Sequence, residues 1–230
     1  MRGCSFHSVG RISTIVFDLD GTLVRYHGVK FESSWGALAA AAGMTEPSRA
    51  LFEEYFPRKD AYAEWVAKDA QLLTGVPLSV VSKTLFPAPY ARGVAEAVER
   101  LRHDYRLGIL SSGVGLVADW VRDDLGLEFA RANWLEVEDG QFTGRSETRV
   151  PLWHKGECFE RLAEEEGFLL SEACYVGDHV NDLPAMDRAA LAIAANPKDA
   201  RVADACAHVV TDFSELPALV KAYTAGTSAD

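Results

Sequence analysis

Short apolar runs alternate with amphipathic stretches along most of this chain. Five runs, several rich in β-branched residues, fall at residues 13–19, 107–111, 173–177, 191–195 and 208–211. Their apolarity is continuous rather than alternating, which suits parallel strands covered on both faces. A weaker run at 128–133 supplies one more strand. Residues 135–143 place Glu138-Asp139-Gly140-Gln141 between two short extended pieces, the signature of a β-hairpin turn.

The stretches between the strands have helical period. Over 114–125, Leu116, Val117, Trp120, Val121 and Leu125 gather on one side, and Gly126 follows as a stop. Residues 155–166 place Phe159 and Leu162 on one face and end at Gly167. Strands alternating with helices predict an α/β fold, a doubly wound, Rossmann-like and mostly parallel sheet.

One stretch breaks the alternation. About seventy residues after the first strand contain no convincing strand, only helical patterns at 34–42, 48–56 and 60–73, punctuated by Gly43, Pro47, Pro57, Gly75 and Pro77. That is too long for a crossover and predicts an inserted helical cap over 26–88. The catalytic core is then discontinuous, 11–25 and 89–223, re-entered at Pro87 and Pro89 before a helix over 91–102. Residues 1–10 and 224–230 are expected as tails.

Length and composition narrow the function. A chain of 230 residues has room for one such core with a smaller appendage. A net charge of −11 argues against a nucleic-acid partner, and an anionic substrate gains nothing from the overall field. Any phosphate must be held by local positive groups. Cys4, Cys158, Cys174 and Cys206 have no C-x-x-C spacing and read as small hydrophobes without disulfides. Residues 1–10 lack an apolar signal region, and no run has the length to span a bilayer, so the expectation is a cytoplasmic protein, monomer or homodimer.

The chemistry concentrates at strand ends. Phe17-Asp18-Leu19-Asp20-Gly21-Thr22-Leu23 runs an apolar strand into two carboxylates. The period of two turns Asp18 and Asp20 to one side, at the edge where open α/β sheets bind ligands. Read alone, this is equally an Asp-Gly turn with solvated acids. The run 107–111 ends in Ser111-Ser112-Gly113, which offers a hydroxyl and backbone N–H groups at a helix start, a small phosphate cradle. The commoner use of such a serine is to cap its own helix. Lys155 opens a helix, where it opposes the dipole unless it points at an anion. Tyr175-Val176-Gly177-Asp178-His179-Val180-Asn181-Asp182 repeats the strand-into-acid pattern, and its oxygens with those of Asp18 and Asp20 suit Mg²⁺. Each group alone has a plain structural use. Four strand ends carrying acids, hydroxyls and a lysine in the order of a phosphoryl-transfer site do not.

Asp18-Leu19-Asp20-Gly21-Thr22, Ser111, Lys155 and Gly177-Asp178-x-x-Asn181-Asp182 resemble the four motifs of the haloacid dehalogenase superfamily. Ala132-Asn133-Trp134-Leu135 and Asp139-Gly140-Gln141-Phe142-Thr143-Gly144, with the helical insertion after the first motif, resemble its phosphoserine-phosphatase-like branch. The resemblance covers roughly residues 12–212.

The resemblance implies a Mg²⁺-dependent phosphohydrolase acting on a small phosphomonoester. Asp18 would be the nucleophile that forms an aspartyl-phosphate, and Asp20 the general acid and base. Mg²⁺ would sit on the Asp18 carboxylate, the Asp20 backbone carbonyl and Asp178, with Asp182 orienting them. Ser111, Ser112, Gly113, Lys155 and Asn181 would neutralise phosphoryl oxygens. His154 and His179 are not expected as ligands, because Mg²⁺ prefers oxygen.

In that branch a cap glutamate takes the amine of phosphoserine and a cap arginine its carboxylate. Counting from Asp18, the glutamate position falls at His27, with Glu32 the nearest acid, and aligning residues 62–73 by their apolar positions puts Asp69 at the arginine position. This disfavours phosphoserine and favours a hydroxylated or amine-bearing phosphomonoester. Trp35, Tyr62 and Trp65 either line the pocket or pack the cap. The competing readings are a phosphoserine phosphatase proper, a phosphomutase or phosphotransferase on the same intermediate, a receiver-type domain, and an inert phosphate-binding module.

Overall fold

The computed structural model describes residues 11–226, the Phe31 side chain excepted; the predicted tail 1–10, with Cys4, lies outside them. Seven strands form one sheet: β1 (Thr14–Phe17), β2 (Arg106–Val114), β3 (Phe129–Glu138), β4 (Gln141–Glu147), β5 (Ala173–Gly177), β6 (Leu191–Ala195) and β7 (His208–Val210). Their order is β4-β3-β2-β1-β5-β6-β7, and only β4 runs antiparallel to its neighbour. The sequence reverses direction on either side of β1, so the crevice beside β1 is the topological switch point where such sheets bind ligands.

The continuous apolarity of β1 follows from two covered faces. Ile15 and Phe17 pack with Val94, Val98, Val117 and Val121, while Val16 packs with Leu110, Phe159 and Tyr175 on the other side. The covering helices are α5 (Val94–Leu101), α6 (Gly115–Leu125) and α10 (Leu216–Gly226) on the first face, and α7 (Lys155–Glu166), α8 (Leu183–Met186) and α9 (Ala200–Ala205) on the second. Burying a side chain such as Phe159 fully is worth about 1.5–3 kcal/mol.

Between β1 and β2 lies the inserted cap, with α1 (Ser34–Ala41), α2 (Thr45–Tyr55), α3 (Tyr62–Leu72) and α4 (Leu78–Leu85). Hydrogen bonds near both ends of the insert help hold it to the core. Ser33 Oγ accepts from Gly36 N–H and caps α1, which leaves the next serine free to face the core. Farther on, the backbone of 75–78 pairs with the hairpin: Gly75 N–H donates to Phe142 O, Phe142 N–H to Val76 O, and Leu78 N–H to Gly140 O, at 2.8, 3.0 and 2.8 Å. The cap and the sheet consequently share one apolar cluster, in which Leu38, Leu73 and Leu85 meet Phe142 and Ile109.

Three sequence expectations need adjustment. The weak run at 128–133 is the start of a ten-residue strand that continues into the predicted hairpin turn at Asp139-Gly140. Strand β2 does not stop at 111: it continues to Val114 with a register shift after Leu110, because Ser111–Gly113 follow the edge of β3 before the chain turns. The phosphate cradle proposed there is thus an irregular strand end, two residues short of α6. Helix α10 reaches Gly226, past the point where a tail was expected.

Candidate active site

The parallel register brings the functional side chains to one edge. Phe17 pairs with Ile109 on one side and Val176 on the other, and Asp18 N–H donates to Val176 O. The residues that follow in each strand therefore emerge together.

Lys155 is the hub. It is fully buried, and its Nζ donates to Asp18 Oδ1 at 2.8 Å and Asp182 Oδ1 at 2.6 Å. Burial alone would push the ammonium down, but the two carboxylates outweigh it and hold Lys155 above its ordinary range. Its place at the first turn of α7, unfavourable against the helix dipole, is explained by these anions. Asp18 is raised to about 6, chiefly by burial and then by the Asp182 charge, with Lys155 opposing.

Asp182 is saturated. Besides Lys155, its carboxylate accepts from Tyr175 Oη and from the backbone N–H groups of Asp178 and His179. Asp178 is raised well above the usual carboxylate range, first by burial and then by Asp182 and Asp18. Carboxylate oxygens of Asp18, Asp178 and Asp182 lie within 4.8 Å of one another. Three buried acids against one lysine leave an excess of negative charge, and all the donors are hard oxygens, which is the environment a divalent cation of the Mg²⁺ type fits. Gly21 adds to the fit: a Cβ there would come 2.2 Å from Asp178 Oδ2, so only glycine leaves this space open.

Asp20 faces the cap. Its Oδ1 accepts from Ser34 N–H at 2.9 Å and its Oδ2 from Ser34 Oγ–H at 2.7 Å, while Ser34 Oγ accepts from Val114 N–H. Burial raises Asp20 to about 7, against the lowering effect of the Ser34 hydroxyl. The approach is close enough that a Cβ on Gly113 would lie 2.5 Å from Asp20 Oδ2 and 2.7 Å from Ser34 Oγ. Sequence reasoning placed Ser34 at a helix start and missed this contact. The double serine was the available signal, one residue for the cap and one to spare.

The Ser111–Gly113 segment is fixed by its own carbonyl. Ser112 O accepts from Tyr62 Oη at 2.7 Å, Asn133 Nδ2 at 2.8 Å and Trp35 Nε1 at 3.0 Å. Ser111 Oγ accepts from Gly113 N–H, and the buried Ser112 hydroxyl has no partner among the described residues. Asn181 Oδ1 lies 3.0 Å from His179 Nδ1.

A cavity of about 340 Å³ extends from this cluster into the cap. Asp18, Asp20, Ser111, Ser112, Gly113, Lys155, Asp178 and Asn181 line it at the sheet, and Asp69, Trp35, Tyr62 and Trp65 line it in the cap. His27 and Glu32 are not among the lining residues. His27 is exposed beside Glu32, and Glu32 is occupied by a two-point contact with Arg25 and an ion pair with Lys198, which hold it down to about 2.

These features have counterparts in known proteins. A profile of haloacid dehalogenase-like hydrolases matches residues 12–190. The phosphoserine phosphatase of Methanocaldococcus jannaschii is 31% identical over 196 residues, covering 84% of this chain and 90% of that protein. The phosphoserine phosphatase of Archaeoglobus fulgidus is 31% identical over 187 residues, but the match spans 80% of this chain and only 53% of that longer protein. A solved phosphoserine phosphatase carrying a phospho-aspartyl intermediate analogue superposes with a TM-score of 0.73 at 27% identity, over 91% of this chain and 99% of that one. The chain belongs to the haloacid dehalogenase-like hydrolase family, in the branch of phosphatases that resemble phosphoserine phosphatase.

Proposed function

We propose that this protein hydrolyses a small phosphomonoester with a Mg²⁺-type cation bound, through an aspartyl-phosphate on Asp18. The observation that carries the reading is the buried Lys155 joining Asp18 to Asp182, with Asp178 alongside, at one end of a cavity that extends into the cap. The cation would be held by Asp18, Asp178 and the Asp20 backbone carbonyl. The saturated Asp182 carboxylate orients Lys155 and the 178–179 backbone instead of serving as a free ligand. When bound, the cation supplies charge neutralisation that lets one anion approach another.

The chain's own groups then divide the work. A carboxylate oxygen of Asp18 forms a bond to phosphorus as the bond from phosphorus to the ester oxygen breaks. Asp20 gives its proton to the departing oxygen, and it later takes one from the water whose oxygen attacks phosphorus and releases Asp18. A group raised to about 7 is well suited to do both near neutral pH. Lys155, the Ser111 hydroxyl, the unpartnered Ser112 hydroxyl and Asn181 face the phosphoryl oxygens. The Ser112 carbonyl, gripped from three sides, keeps its segment from relaxing when the substrate leaves.

The cytoplasm is the compartment we propose, a reading supported by the free thiols of Cys158 and Cys174. Phosphate release from small esters with and without Mg²⁺ tests the function. Release should require the metal and vanish in Asp18→Asn, and acid-quenched wild type should carry one phosphoryl group on Asp18. Turnover persisting in that variant would remove Asp18 from its role.

A further inference from the structure

The cap end of the cavity contains a carboxylate without a counter-charge. Asp69, on α3, is buried to 9% exposure and lines the cavity. Its Oδ1 accepts from Ser48 Oγ–H at 3.2 Å, and no ion pair reaches it among the described residues. The buried Trp65 indole N–H lies beside the same carboxylate and, as a hydrogen-bond donor, favours its charged form. The walls around these groups are apolar: Phe52 stacks on Phe56 and meets Trp65 edge-on at 5.6 Å, and Val66 completes the surface.

A buried carboxylate in an apolar pocket stays costly while no cation reaches it, even with neutral donors beside it. The basic side chains at the cavity do not do so. Arg49 pairs with Glu46, Lys198 with Glu32, and Lys30 sits over the Phe52 ring. Aromatic faces beside a carboxylate are the surroundings in which organic ammonium groups bind well. A substrate carboxylate placed here would instead meet Asp69.

Resting on the phosphatase reading above, we propose that Asp69, with the Ser48 hydroxyl and the aromatic walls around it, binds the ammonium group of the substrate, a phosphomonoester of an amino alcohol that has an apolar body and no carboxylate. Asp69 lies two helical turns along α3 from Tyr62, whose hydroxyl reaches Ser112 beside the phosphate end. Two turns span about 10 Å of helix axis, which sets Asp69 toward the cap end of the cavity and away from the acid cluster.

The test uses the full chain with Mg²⁺ and two ladders of substrates, ω-aminoalkyl phosphates and n-alkyl phosphates of matching length. We expect kcat/KM to favour the amine over its alkyl twin by at least about tenfold at the best-fitting chain length. In Asp69→Asn the preference should shrink to below about threefold, since an amide removes the charge but keeps the shape. The wild-type ratio stands even if the variant folds poorly. Equal rates for amines and alkyl twins, a preference retained in Asp69→Asn, or phosphoserine outrunning the amines would overturn the assignment. p-Nitrophenyl phosphate, an activated ester, reports the chemistry alone. Absence of metal-dependent release from it and from both ladders defeats the phosphatase reading itself, whereas release without amine selectivity defeats only the Asp69 assignment.

Discussion

Replacing Asp69 with asparagine should change how stability depends on pH, in the chain without metal or substrate. Burial raises Asp69 from 3.8 to about 7, with the Ser48 hydroxyl and the Trp65 indole N–H opposing. The folded chain thus keeps a proton that the unfolded chain has lost over this interval. Stability falls with rising pH wherever the native state binds more protons, so wild type should lose ground to Asp69→Asn between about pH 4 and about pH 7, with no further change above. A displacement of about three pK units corresponds to about 4 kcal/mol at most, and contact with the cavity's water reduces this to about 2–4 kcal/mol. Urea unfolding of both proteins in a chelator, across that range, measures the gap. Asp18, Asp20 and Asp178 also titrate abnormally, but they are present in both chains and cancel in the difference. A gap that stays constant with pH would refute the reasoning. So would wild type gaining on the variant as pH rises, which is the behaviour of an acid with a cationic partner.

Two other substitutions probe the catalytic end. Ser34→Ala deletes the 2.7 Å hydrogen bond to Asp20 and the acceptor for Val114 N–H; at about 1.5–3 kcal/mol for a bond to a charged group, kcat/KM should fall about 10- to 100-fold with KM little changed. Steady-state kinetics within about twofold of wild type would show that the hydroxyl does not position Asp20. Lys155→Met leaves Asp18 and Asp182 buried without their cation, so the metal-free chain should lose about 3–5 kcal/mol in urea unfolding. The same change removes a positive charge beside the acid cluster, and calorimetric titration should show tighter Mg²⁺ binding than in wild type. Unchanged or weaker binding would mean that the cation sits elsewhere.

Legibility of the sequence followed the range of the forces involved. Strands β5 and β6 and helix α7 occupy the predicted residues because each is a continuous apolar run or a clear amphipathic period, bounded by its own glycine or turn. Helix α4 was not read: Leu-Ser-Val-Val-Ser-Lys-Thr-Leu is rich in β-branched residues, and it is burial of Val81 and Leu85 against the cap and sheet that makes it helical. Within the site, Asp18 and Asp178 were visible because strand ends advertise them, Asp182 because it repeats the acidic pattern, and Lys155 because a first-turn lysine is out of place unless it meets an anion. Trp35, Tyr62 and Asn133 were not visible as a group, since what unites them is one backbone carbonyl that no residue type marks. His27 and Glu32 were chosen by counting from Asp18, yet the chain makes a short 3-10 turn at Lys30–Glu32 before α1, and that turn directs Glu32 to Arg25 and Lys198.

The stitching of residues 75–78 to the hairpin has a consequence for which molecules gain entry. Because main-chain pairing at one side and Ser34 at the other tether the insert over the sheet, a molecule must present its phosphate past the insert to reach the acids. A slender ester does this more readily than a phosphate borne on a folded surface or a polymer, a bias that belongs to chain connectivity more than to any one wall residue.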